Sequence, residues 1–142
     1  MIEVAVTSPL PGRAAAMLAG RFGLRVHRGA ALTGEDELAA FIGAAAGAVT
    51  LLANPVSRTV LERCLELRVV GNVAVGYDNI DVAAAAERGV WVTNTPDVLT
   101  EATADLAWAL VLAVTRRLGE AEAYLREGRF RGWALDLLLG SG

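Results

Sequence analysis

The residues that come nearest to chemistry lie in one short stretch, "NVAVGYDNID" over 72–81. The β-branched pair Val69-Val70 leads into it as a buried strand, and the chain then meets Val75-Gly76, a tyrosine, and the aspartates Asp78 and Asp81. Gly76 has no Cβ, so it can take a positive φ and let an anion approach its own N–H and that of Val75. Two neighbouring amides aimed the same way bind a carboxylate without any side-chain charge. The alternative is that Gly76 merely turns the chain while Asp78 closes an Asx-turn, and turns of this composition are common. Asp81 reads as a helix cap.

Other candidates weaken on inspection. His27 is the sole histidine, near Arg25 and Arg28 at the end of a strand-like run. Without an adjacent Asp, Glu or Cys it makes neither a metal site nor a triad, so it reads as structural or exposed. Cys64, the sole cysteine, reads as a small buried filler. Glu101, Thr103 and Asp105 crowd the first turns of a long helix, where acids and hydroxyls suit the dipole. All thirteen basic residues are arginines, which rules out chemistry that needs a lysine of this chain, such as a Schiff base or a phosphate-loop lysine. The closing "LLLGSG" could open a dinucleotide fingerprint at Gly140-x-Gly142, but a third glycine, a helix and a later acid do not follow.

The elements that must position these residues alternate. Runs at 2–8, 24–28, 48–52, 68–73 and 90–94 read as strands, and alanine-rich segments between them as helices. Pro11-Gly12 opens the first helix and Thr33-Gly34-Glu35-Asp36 resembles a capping box for the second. Ser57 and Asp81 cap the third and fourth, and Gly89 stops the fourth as a left-handed residue. Short strands alternating with helices predict an α/β fold, a doubly wound parallel sheet of about five strands covered on both faces. In such a sheet ligands bind beyond the carboxyl ends of the strands. The 72–81 stretch lies at one of those ends.

The rhythm stops at Thr95-Pro96. Beyond it, "LTEATADLAWALVLAVTRRLGEAEAYLREG" predicts one long helix, or two meeting near Gly119. Leu106, Leu110 and Val114 form one apolar stripe and Trp108 and Leu112 another, so this helix needs a covering partner. The net charge of -3 and a pI near 5.1 speak against nucleic acid and against a polybasic membrane anchor. The apolar run "LAWALVLAV" is half the ~20 residues a bilayer span needs. An acid near the N-terminus, no basic leader and a lone cysteine point to the cytoplasm.

With these residues laid out, the chain resembles the N-terminal part of the D-isomer-specific 2-hydroxyacid dehydrogenases, in the glyoxylate/hydroxypyruvate reductase branch. The resemblance rests on residues 67–117, where "AVGYDNID" and "TNTPDVLTEATAD" stand at the family's separation. It tips the reading of Gly76 from plain turn to binding site. It implies an enzyme reducing a 2-oxoacid with NADH or NADPH. Residues 1–95 would be the N-terminal part of a flavodoxin-like substrate domain. Residues 96–142 would be an interdomain helix and arm leading to a dinucleotide-binding domain. The amides of Val75 and Gly76 would hold the substrate carboxylate, and Thr103 would lie close to the cofactor. The 99–133 region, ending near Trp133, would pack in a homodimer. The family's fingerprint and its catalytic Arg, Glu and His have no counterpart here, so the segment is expected to have no catalytic residue, to bind no cofactor alone and to be inactive alone. Asp97 stands where the family commonly has Gly, a change expected to be harmless at a turn.

A freestanding flavodoxin-like module is the competing class. A phosphoacceptor receiver fails for want of a lysine and of acids after the first strand. A flavin-binding flavodoxin fails because Pro9-Leu10-Pro11 replaces a hydroxyl-rich phosphate loop. A non-catalytic module acting by dimerisation or ligand binding survives.

Overall fold

Five β-branched runs become five strands in the computed structural model, which describes residues 1–140. In chain order the elements are β1 (Glu3–Val6), α1 (Ala14–Ala19), β2 (Gly23–Val26), α2 (Glu35–Ile42), β3 (Gly47–Thr50), α3 (Arg58–Arg63), β4 (Val69–Asn72), α4 (Val82–Glu87) and β5 (Trp91–Thr93). Helices α5 (Thr100–Thr115) and α6 (Leu118–Arg126) follow. All strand pairs are parallel, in the order β2-β1-β3-β4-β5. This is the flavodoxin-like arrangement, whose chain reversal lies between β1 and β3. The described chain divides into two compact units, Met1–Asp97 and the segment from Val98 onward.

Alternation along each strand sorts the first unit's side chains to two faces. Ala5, Ala48 and Val70 face a core with Leu38, Ile42, Val60, Leu61 and Ala84 from α2, α3 and α4. Small residues on the strands let those three helices approach closely. The other face is covered unequally. Leu18 and Phe22, on and just after α1, border an apolar hollow of about 190 Å³ with Ile2, Val4, Val49 and Val69, and α1 has no buried residue. Val69 stays 40% exposed.

The caps show where local chemistry set the helix starts. Ser57 Oγ accepts from the Val60 N–H at 3.4 Å, and Asp81 Oδ1 from the Ala84 N–H at 2.8 Å. Gly89, at φ +67°, ends α4 in a Schellman motif, its N–H donating to Ala86 and that of Val90 to Ala85. The capping box expected at Thr33 does not form. The cap of α2 is Gly34, one residue later, with no side-chain bond, and Asp36 pairs instead with Arg63 of α3. With the start displaced, three acids occupy the first turn and favour the dipole.

The second unit has two helices that meet near Gly119, as one of the two expectations had it, with the break at Arg117. Arg117 takes φ +53°, and its guanidinium returns to Glu120 in the first turn of α6. None of α5 is buried; Trp108 is 68% exposed and Val114 76%. Among the described residues, no helix is long and apolar enough to cross a membrane.

Candidate functional site

The turn that follows β4 is held by its carbonyls. The Val73 N–H donates to Thr50 O at 2.8 Å, the last rung toward β3. After it, Ala74 O accepts from the Thr95 N–H at 2.8 Å, and Val75 O from Asn94 Nδ2 at 2.7 Å. Gly76 O accepts from Asn72 Nδ2 at 3.0 Å. Among the described residues, the N–H groups of Val75 and Gly76 meet no acceptor. Val75 and Gly76 thus belong to a run of N–H groups, Ala74 to Asn79, that meet no acceptor among the described residues, in a turn whose Val75 and Tyr77 side chains are exposed. Their open hydrogen-bonding capacity suits an anion with paired oxygens.

Two expectations about this turn need correction. Gly76 does not adopt a positive φ, so the glycine is not demanded by backbone conformation. Nor is it demanded by packing: a Cβ there would meet only Asp78 Oδ2, at 3.4 Å. What the missing side chain leaves is open approach to the amides. The Asx-turn at Asp78 does not form either, because the Ile80 N–H donates to the Tyr77 carbonyl at 2.9 Å and closes the turn through backbone.

Beneath the turn runs a buried amide network that the sequence reading missed. Thr50 Oγ1 donates to Asn72 Oδ1 at 3.0 Å, and Asn72 Nδ2 also reaches Asn79 Oδ1 at 3.0 Å. Asn79 Nδ2 donates to the carbonyls of Leu51 (3.1 Å) and Asn54 (2.9 Å). Asn54 in turn takes the Thr7 hydroxyl at 2.6 Å and gives its Nδ2 to Leu32 O at 3.0 Å. The network ties the carboxyl ends of β1, β3 and β4 into one support. No buried side-chain nitrogen or oxygen among the described residues lacks a partner. The available signal was Asn72 itself, an amide at the end of a β-branched run, which burial obliges to find partners.

The remaining candidates fall into place separately. His27 packs edge-on against Phe41 with ring centroids 5.2 Å apart, and its Nε2 lies 2.7 Å from Ala30 O. It borders a hollow of about 150 Å³ with Thr7, Ser8, Arg28 and Asn54, which Val75 and Gly76 do not line. Cys64 is buried, its Sγ 3.7 Å from Ala39 O, and burial pushes the thiol pKa up. Thr103 lies in the second unit, exposed in the first turn of α5, with its N–H bonded to Leu99 O at 2.8 Å. Asp97 has φ +63°, a conformation glycine enters freely and Asp tolerates better than most residues. Among the described residues, no group of His, Cys, Asp and Glu could hold a metal ion.

A Cβ at Gly140 would run into the Thr115 carbonyl, so this glycine serves packing against the end of α5. Gly142, the other half of the expected Gly-x-Gly, lies outside the described residues. Thr103 by itself offers one hydroxyl.

Comparison with known proteins agrees with the fold and the motif. A family model for the D-isomer specific 2-hydroxyacid dehydrogenase catalytic domain matches residues 4–130. The glyoxylate reductase of Korarchaeum cryptofilum is 41% identical over 139 residues, 97% of this chain and 42% of that protein. That of Thermococcus litoralis is 50% identical over 98 residues, 66% of this chain and 30% of the relative. The chain thus spans less than half the length of these relatives. A solved structure from Thermus thermophilus superposes with a TM-score of 0.91 at 44% identity, over 98% of this chain and 45% of that one. The NADPH-dependent glyoxylate/hydroxypyruvate reductase of Sinorhizobium meliloti, solved with NADP and malonate, gives 0.71 at 33% identity over 89% and 38%. On the family match, which covers nearly the whole chain, this protein belongs to the D-isomer-specific 2-hydroxyacid dehydrogenase family.

Proposed function

We propose that this chain is the N-terminal segment of an NAD(P)-dependent 2-oxoacid reductase of the glyoxylate/hydroxypyruvate type, and that it supplies the substrate's carboxylate site. The observation that carries the reading is that the Val75 and Gly76 amides are unpartnered while the Ala74, Val75 and Gly76 carbonyls that fix this backbone are each engaged. Carboxylate oxygens accept strongly from such N–H groups, and charge-assisted bonds of this kind are roughly twice as strong as neutral ones. The resemblance to reductases of glyoxylate, and to one crystallised with the small dicarboxylate malonate, supports a short anionic substrate.

In this reading residues 1–95 belong to the substrate domain and residues 96–142 lead toward a coenzyme domain. Val75 and Gly76 bind and orient the 2-oxoacid so that its carbonyl carbon faces the coenzyme. A nicotinamide, NAD or NADP, supplies the hydride when bound, with Thr103 beside it. The segment alone binds neither coenzyme, for want of a dinucleotide fingerprint, and turns nothing over, because it has no proton donor matching the family's. The apolar residues of α5, within the 99–133 region, pair two copies as a homodimer. The setting is the cytoplasm.

The non-catalytic reading, a module that acts by pairing, draws on one observation: α5 is apolar and exposed along its length. A fusion separates the two. Joining this chain in frame to the coenzyme-binding remainder of the Korarchaeum cryptofilum reductase should give glyoxylate- or hydroxypyruvate-dependent oxidation of NADH or NADPH, while the chain alone gives none. A folded fusion without turnover would favour the non-catalytic module.

A further inference from the structure

The three peptide planes that run from Ala74 to Tyr77 share one pattern of support. In a trans peptide, the carbonyl of one residue and the N–H of the next lie in one plane and point in opposite directions. No cis peptide occurs among the described residues. Fixing the Ala74 carbonyl therefore fixes the Val75 N–H, and fixing the Val75 carbonyl fixes the Gly76 N–H. The first plane is held by backbone, Thr95 N–H to Ala74 O at 2.8 Å. The second is held by one side chain, Asn94 Nδ2 to Val75 O at 2.7 Å. The third, which carries the Tyr77 N–H, is held by Asn72 Nδ2 at 3.0 Å from Gly76 O.

We infer that Asn94 is a positioning residue for substrate: it sets and polarises the Gly76 N–H that receives the carboxylate. The inference rests on the carboxylate reading of the Val75–Gly76 turn and deepens it. Asn94 sits just past β5, so the end of a neighbouring strand reaches over to the turn. Donation into a carbonyl polarises the peptide unit and makes its N–H the better donor. The arrangement also restrains the plane before substrate arrives, which spares the ordering cost at binding. Asn72 does the same for the next plane, but it also belongs to the buried network, so its loss would disturb the support as well. Asn94 donates from its side chain to the Val75 carbonyl and takes no part in the buried network, so it can be removed more cleanly.

This gives a test that a purely structural role would not pass. In the ¹⁵N-labelled chain, Asn94→Ala should free the Gly76 plane and leave the Val75 plane, still bonded through Thr95, in place. The backbone order parameter of the Gly76 N–H should fall from about 0.85 toward 0.6, with that of Val75 unchanged. In a glyoxylate titration of the same samples, losing one hydrogen bond's share of about 1 kcal/mol corresponds to a dissociation constant about five- to tenfold higher. Retained signal dispersion elsewhere reports that the variant is folded. Equal affinity in both proteins, or an unmoved Gly76 order parameter, would overturn the role of Asn94 alone. Failure of the unsubstituted chain to respond to glyoxylate would overturn the carboxylate reading, and the inference with it.

Discussion

A methyl group at residue 76 separates binding from folding. The backbone there is open to any residue and a Cβ would make one ordinary contact, with the Asp78 carboxylate at 3.4 Å. Gly76→Ala should therefore leave stability within about 1 kcal/mol, and can raise it by restricting the unfolded chain. It should also block the approach of a carboxylate to the free amides. Urea unfolding and a glyoxylate titration of the variant check both halves. Asp97 makes the complementary case, since its φ of +63° carries strain that glycine relieves. Asp97→Gly is expected to be neutral or stabilising by up to about 1 kcal/mol, and Asp97→Val clearly destabilising, in the same unfolding assay. At this scale the sequence told part of the story. It marked Val75 and Gly76 as the place to look, although the positive φ open to Gly76 is not the one it adopts. The supporting asparagines were hidden because their partners lie far away in sequence: Asn79 reaches Leu51 and Asn54, and Thr7 reaches Asn54. No local pattern reports such pairings.

At the scale of elements, caps and crossing ion pairs hold the helices that frame the turn. Asp81 lies just past the turn and starts α4, so Asp81→Ala should cost about 1 kcal/mol by urea unfolding. The Arg58 guanidinium of α3 hydrogen-bonds Glu87 of α4 and adds its charge, which holds the Glu87 carboxyl below the usual carboxylate range. A carboxyl lowered in the folded state stabilises above its unfolded pKa and loses that effect as pH falls through the folded value. The pair is exposed, so its effect is small and weakened by salt. The unfolding midpoints of the parent and Glu87→Gln should differ slightly at neutral pH and converge as pH drops below about 4. Element type and order were legible, because β-branched runs and alanine-rich segments differ in period. The ends were less so. Strands stop a residue or two early where the chain leaves the ladder, as at Val73. The start of α2 lies one residue later than the capping-box pattern implied, and Asp36 pairs with Arg63, a partner on the next helix.

For the molecule as a whole, the apolar exposure of α5 carries the prediction. Leu106, Leu110 and Val114 are 60%, 58% and 76% exposed on a helix with no buried residue. A face of this kind favours association. Sedimentation should give a mass twice 14.8 kDa, and Leu110→Glu should shift it toward a single copy. Parallel-sheet topology followed from the alternation of elements. Unequal coverage of the two sheet faces did not, because it depends on which helices lie on each side and not on their number.

The carboxylate site is the central claim, and an amide-resolved titration of the unmodified chain with glyoxylate tests it most directly. Two charge-assisted hydrogen bonds in an open turn correspond to binding in about the millimolar range. The account predicts saturable shifts largest at the Val75 and Gly76 N–H signals, and none with a neutral ester of the same acid. Saturable shifts centred instead on the hollow beside Ser8 and Arg28, or no response at Val75 and Gly76 at a hundredfold higher concentration, would contradict it.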